Sequence, residues 1–214
     1  MVSLYLSSWL VLVAVFAAAL VSPGPDFVMS VKNSLVYGRR AGVFTAVGFA
    51  LGVLVHASYA VLGIGAVISH SIILFNVIKY AGAAYLIYIG IQALRSKGAS
   101  AAAIEAGLNT SADAHKSDWL SMRDGFLTNL LNPKATLFFV ALFTQIVDPG
   151  MPLYIKAIFG LTCAVMVALW FMLVAMLMTQ PAVRKRYIAF SARIDKVLGV
   201  MLIAFGVKVA LSRA

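Results

Sequence analysis

The sequence predicts an all-α integral membrane protein of six transmembrane helices, arranged as two inverted three-helix repeats with helices 1 and 4 broken at prolines. Three observations predict it. Of 214 residues, 63% are hydrophobic and only 11% charged, where a soluble domain carries roughly a quarter charged residues. The apolar residues fall into six blocks, each near the ~20 residues a helix needs to cross a hydrocarbon core. Finally, Pro25 and Pro133 interrupt the pattern at a spacing of 108 residues.

The blocks run over about 4–22, 41–66, 72–94, 124–147, 153–179 and 194–211. No Lys or Arg precedes the first, and Pro23 stands where a cleaved signal would carry small residues, so this block reads as a retained span. The second contains His56 and the pair Gly48-x-x-x-Gly52; Gly38-x-x-x-Gly42 comes just before it. Such spacing lets membrane helices approach closely, inside one subunit or between copies in a homo-oligomer, and the internal role is expected. The third span opens Lys79-Tyr80-Ala81-Gly82 and reaches Gly90, while the sixth opens Lys196-Val197-Leu198-Gly199 and reaches Gly206. These matches, with the proline pair, read as a 3+3 duplication: repeat one over about 1–95, a flexible connector over about 96–122, repeat two over about 123–214, all one domain. Three crossings per half turn the second half upside down, an architecture of secondary transporters.

Orientation follows from Lys and Arg, which concentrate in cytoplasmic loops. Twelve fall in the stretches 22–40, 95–123 and 180–196, and four (Lys79, Lys156, Lys208 and Arg213) on the other side. The three stretches are therefore expected to be cytoplasmic loops and the C-terminus to lie outside. A net charge of +10 that is scattered between apolar blocks points to the bilayer and away from nucleic acid.

The chemistry concentrates at the breaks. Pro23 and Pro25 cannot continue a helix without freeing backbone polar groups, and Gly24 permits a turn between them. Irregular backbone at depth survives only where protein or a wet cavity satisfies it. Pro23, Gly24, Pro25 and Pro133 are thus expected to form a cavity wall; a plain cytoplasmic turn after the first helix is the other reading of the first three. Asn129 and Asn132, three apart, share a helical face with Thr128. Asp26 and Lys134 occupy equivalent places in the two halves. Ionisable groups at membrane depth mark functional sites, although either side chain has the alternative of snorkelling to the interface. An amino acid offers an ammonium and a carboxylate. Asp26 is expected to take the ammonium or carry a coupling proton, and Lys134 to take the carboxylate or hold Asp26 in the empty site. His56 is either a hydrogen-bonded structural residue or a proton relay.

The run Ser22-Pro23-Gly24-Pro25-Asp26 resembles the LysE/RhtB-type amino-acid exporter family, which includes lysine and homoserine/threonine efflux proteins. The resemblance continues through Tyr37-Gly38-Arg39-Arg40-Ala41-Gly42, Lys79 to Leu86, Asp124-Gly125-Phe126 and Asn129-Leu130-Leu131-Asn132-Pro133-Lys134. It implies a small exporter of the bacterial inner membrane, driven by the proton gradient, with amino acids or close derivatives as substrate. A single carboxylate deep in the spans favours a small neutral amino acid such as threonine or homoserine. Without a P-loop or dinucleotide fingerprint, and with three histidines and one cysteine, neither a cofactor nor a metal is expected. The competing classes are an integral-membrane enzyme with a lipid-like substrate, which needs a richer cluster of acid and base groups, and a membrane scaffold, which needs no buried charge.

Overall fold

The computed structural model describes residues 2–22, 24–70, 72–95, 116–148 and 150–211. Regular structure among them is entirely helical: α1 (Val2–Val21), α2 (Pro25–His70), α3 (Ile72–Arg95), α4 (Asp118–Leu130), α5 (Pro133–Ile146), α6 (Leu153–Met178) and α7 (Pro181–Leu211). Pro25, Pro133 and Pro181 each open a helix, the position where a missing N–H costs nothing and a fixed φ helps. Ser117 caps α4 by accepting from the Leu120 N–H, and Asn132 caps α5 by accepting from the Lys134 N–H. The connector expected over 96–122 lies largely outside the described residues.

At 1.5 Å per residue α2 would be about 69 Å long, more than twice a hydrocarbon core of ~30 Å. It is broken at Gly38, whose φ of 86° is open to glycine and strained for other residues. Past the break, Arg39 Nε donates to Thr179 Oγ1 at 2.8 Å, and Arg40 forks onto Asp118 at 2.9 and 2.7 Å. One end of the bundle is thereby tied together, where α2 bends, α4 starts and α6 stops. Towards the other end, Trp9 Nε1 donates to Thr162 Oγ1 at 3.1 Å and joins α1 to α6.

Two stretches expected as loops are instead helical. Most of 22–40 is the first part of α2, and nearly all of 180–196 is the first half of α7. Between Asp26 and Tyr37 there is no Gly or Pro, and Phe27, Val31 and Val36 are buried. Between Ala182 and Leu198 there is again no Gly or Pro, and Arg and Lys are good helix formers whatever their charge. Lys and Arg density alone marked these as loops, although it reports on side and not on backbone form. By length and composition Pro25–Leu62 and Leu153–Met178 are able to cross a membrane. The pair α4 and α5, bent by 59°, adds a third as one broken span, and Tyr5–Val21 is a shorter apolar helix.

Small residues set the closest approaches. A Cβ on Gly48 would lie 2.0 Å from the Met122 carbonyl oxygen, and one on Gly125 would lie 2.1 Å from that of Thr45. The Gly48-x-x-x-Gly52 face therefore packs inside the chain, against α4. On the far side of α2, Gly42 faces Ser34 and Ala175. The α3–α7 crossing is similar, with Gly90 and Gly199 each against the other's carbonyl oxygen. Gly48→Val is expected to drive α2 and α4 apart, at a cost of about 1–3 kcal/mol or more. Its unfolding midpoint in detergent should fall clearly; an unchanged midpoint would contradict the contact.

Candidate functional site

The two proline interruptions meet. Pro25 starts α2 and so puts Asp26 in its first turn, beside the end of α4 and the start of α5. Asn129 Nδ2 donates to Asp26 Oδ2 at 2.7 Å, and Asn132 Nδ2 donates to Asp26 Oδ1 at 3.1 Å. Both carboxylate oxygens are thus held by amides of the other half. The converse also holds: Lys134 Nζ donates to the Ser22 carbonyl oxygen and to Ser22 Oγ, both at 3.2 Å. Each half supplies one charged side chain and each break receives the other's.

Backbone accounting explains the partners. Pro133 has no N–H to give the Asn129 carbonyl four residues back. That oxygen accepts instead from the Asn132 N–H at 3.1 Å and from His56 Nε2 at 3.0 Å. With Nε2 donating, His56 is the tautomer whose Nδ1 accepts from the Tyr59 hydroxyl. His56 is fully buried and its ring stacks on Phe139, centroids 5.6 Å apart. At the end of α1 the Ser22 carbonyl is met by the Lys134 ammonium, so the cation caps a helix end as well.

Between the breaks lies a cavity of about 60 Å³, lined on its polar side by Ser22, Gly24, Asp26, Asn129, Asn132 and Lys134. Phe16, Phe138, Phe139 and Phe171 close the apolar side. The volume has room for a few waters. Of the residues expected in the wall, Gly24 lines it, while Pro25 and Pro133 stand behind it as helix starts. Pro23 lies outside the described residues. Gly24 does not need glycine's freedom: Gly38 is the described glycine with positive φ, and a Cβ on Gly24 would meet the Lys134 side chain at an ordinary 3.5 Å. Gly52 matters more, because a Cβ there would lie 2.6 Å from Asn129 Oδ1 and push that amide off Asp26.

One residue was not expected. Asp195 on α7 is 1% exposed and acts electrostatically on Lys134. It falls where the 180–196 stretch and the 194–211 block overlap and was not weighed as a residue of the span; the clue was a lone acid in an unbroken run of helix-forming residues. Away from the cavity, Lys116 donates to Asn33 Oδ1 at 3.2 Å, pairs with Asp124, and lies over the Tyr37 ring. Asn33 Nδ2 in turn donates to Thr45 Oγ1 at 2.8 Å. This polar cluster joins α2 to the start of α4.

The model of the LysE type translocator matches residues 17–213. The chain belongs to that family. This LysE type translocator is 32% identical to the threonine efflux protein of Escherichia coli (strain K12) over 210 residues, covering 96% of this chain and 98% of that one. It is 36% identical to the homoserine/homoserine lactone efflux protein of Salmonella typhimurium over 131 residues, 61% of this chain and 60% of that one. A membrane protein of Bacillus subtilis, YrhP, is 31% identical over 208 residues, covering 96% and 99%. No solved structure matches the chain. Membership of a translocator family makes the protein a transporter and removes the lipid-modifying enzyme and the scaffold as readings.

Proposed function

We propose that the protein is a secondary active exporter of small neutral amino acids such as threonine or homoserine, coupled to proton entry across the bacterial inner membrane. The observation that carries the reading is the reciprocal hold of the two breaks around a polar cavity: Asp26 on Asn129 and Asn132, Lys134 on Ser22. The relatives named for threonine and homoserine efflux support the solute class.

The proton's role follows from the donors. Two amides aimed at Asp26 suit a carboxylate with four acceptor sites and no proton. Protonation turns one oxygen towards donating, opposes one amide, and loosens the grip of α4 and α5 on α2. In this scheme a substrate ammonium replaces the amides at Asp26 and a substrate carboxylate draws Lys134 from Ser22. His56 positions Asn129 and is not itself the relay. The six crossings are α1 with the first part of α2, the rest of α2, α3, α4 with α5, α6, and α7. The first and fourth are then the broken spans, related by inversion within one transporter domain. The Arg39–Arg40 end faces the cytoplasm, with residues 96–115, and the C-terminus faces outside.

Proteoliposomes preloaded with labelled threonine test the scheme. An imposed gradient that drives protons inward is expected to speed release several-fold, and an ionophore to remove the gain. Release indifferent to the gradient would end the coupling, and no release of threonine or homoserine would end the solute assignment.

A further inference from the structure

A second cavity lies at the end of the bundle away from Arg39 and Arg40, among the start of α1 and the ends of α5 and α7. It is a cleft open at the surface, of about 330 Å³, several times the volume of the central one, and Ser7 and Lys208 on its rim are exposed. Ser7, Ser8, Gln145 and Lys208 supply its polar lining, and Val11 and Phe205 are among its apolar residues. Among the described residues no acid lines it, and the charge they supply is the Lys208 ammonium. Gln145 Nε2 is buried with no hydrogen-bond partner among the described residues. A buried amide donor left unmet is costly. Gln145 lines the cleft, and a turn of its side chain would bring this covered donor beside the cation and two hydroxyls already there, the equipment for an anionic group.

The two cavities share helices. From Ser8 to Phe16 along α1 is eight residues, or about 12 Å, and from Phe138 to Gln145 along α5 is seven, or about 10 Å. Between them the way is filled. Leu12 and Leu142 are fully buried, and the Phe16 ring lies 6.0 Å from Phe138 and 5.5 Å from Phe139. The apolar layer separates the small cavity holding Asp26 and Lys134 from the larger cleft edged by Lys208.

We propose that the cavity lined by Ser8, Gln145 and Lys208 is a second binding site for the exported amino acid, which holds its carboxylate on the release side of the Phe16–Phe138–Phe139 layer. The inference rests on the exporter reading for the identity of the solute and for the direction of travel. The donors of the site are Lys208 Nζ, Gln145 Nε2 and the Ser8 hydroxyl; Phe205 and Val11 offer apolar contact to a short side chain. A solute leaving the central cavity, where Asp26 stands with Lys134, meets a second ammonium in a lining with no acid among the described residues.

Equilibrium binding of labelled threonine to the purified full-length protein in lipid nanodiscs tests this, with Lys208→Gln, Gln145→Leu and Asp26→Asn compared with wild type. Wild type is expected to bind at two sites per chain. Lys208→Gln and Gln145→Leu should each weaken one of them at least tenfold and leave the other unchanged, while Asp26→Asn should weaken the other. If both outer variants keep wild-type stoichiometry and affinity while Asp26→Asn loses a site, the second site is refuted and the exporter reading stands. If the outer variants lose a site and Asp26→Asn loses none, the second site stands and the central assignment fails. Wild type that binds no threonine refutes both.

Discussion

Asp26→Asn is expected to abolish export while leaving the fold intact. The change is close to isosteric, so packing around the first turn of α2 is kept. The hydrogen bonds are not. Both oxygens of Asp26 now accept from amide donors, Asn129 Nδ2 and Asn132 Nδ2. An asparagine has one oxygen, so its own NH2 must face one of those donors. Losing one charge-assisted bond at about 2 kcal/mol, together with the donor–donor conflict, corresponds to roughly 30-fold or more in any step that requires the contact. The variant also has no group to carry a proton. Efflux of labelled threonine from preloaded cells, at matched surface expression, should fall to background. A wild-type rate would remove Asp26 from the mechanism.

Lys134→Ala has the larger effect on stability. Its ammonium holds the Ser22 carbonyl and hydroxyl, and stands in the field of both Asp26 and Asp195. Without it the end of α1 loses its partner and two carboxylates remain with no cation between them. Removing one member of a buried charge group commonly costs about 3–5 kcal/mol. The unfolding midpoint in detergent should drop by many degrees and export should cease. Lys134→Arg separates the two consequences. It keeps the charge and so should recover much of the midpoint, but a guanidinium in a cavity of about 60 Å³ leaves little space for solute. Export by Lys134→Arg at the wild-type rate would mean that the ammonium's position is immaterial.

Proline made the centre of the molecule readable. A missing N–H at Pro133 predicts an orphaned carbonyl four residues earlier, and that carbonyl is the one His56 meets. The spacing of Asn129 and Asn132 predicts one shared face, and Asp26 sits against it. Neither residue type nor spacing told which partner each charge would choose, since Ser22 is an ordinary serine until tertiary packing brings Lys134 beside it. The Gly38 break was equally silent: glycine occurs both in smooth membrane helices and at bends, and only the ties of Arg39 and Arg40 to Thr179 and Asp118 distinguish this one. Asp195 went unseen for a related reason. A charged stretch reads as wet, whereas a long helix can turn one acid inwards and leave Arg193 and Lys196 exposed.

The crossed grip between the halves constrains slippage. Because Asp26 is anchored by the second half and Lys134 by the first, neither half has a lock of its own that a passing ion or water can pick singly. On the proposed reading, freeing one anchor leaves the other fastened. On that same reading a bare proton that reaches Asp26 still leaves Lys134 fastened to Ser22, so an unloaded carrier would not drain the cell's gradient while it waits for cargo.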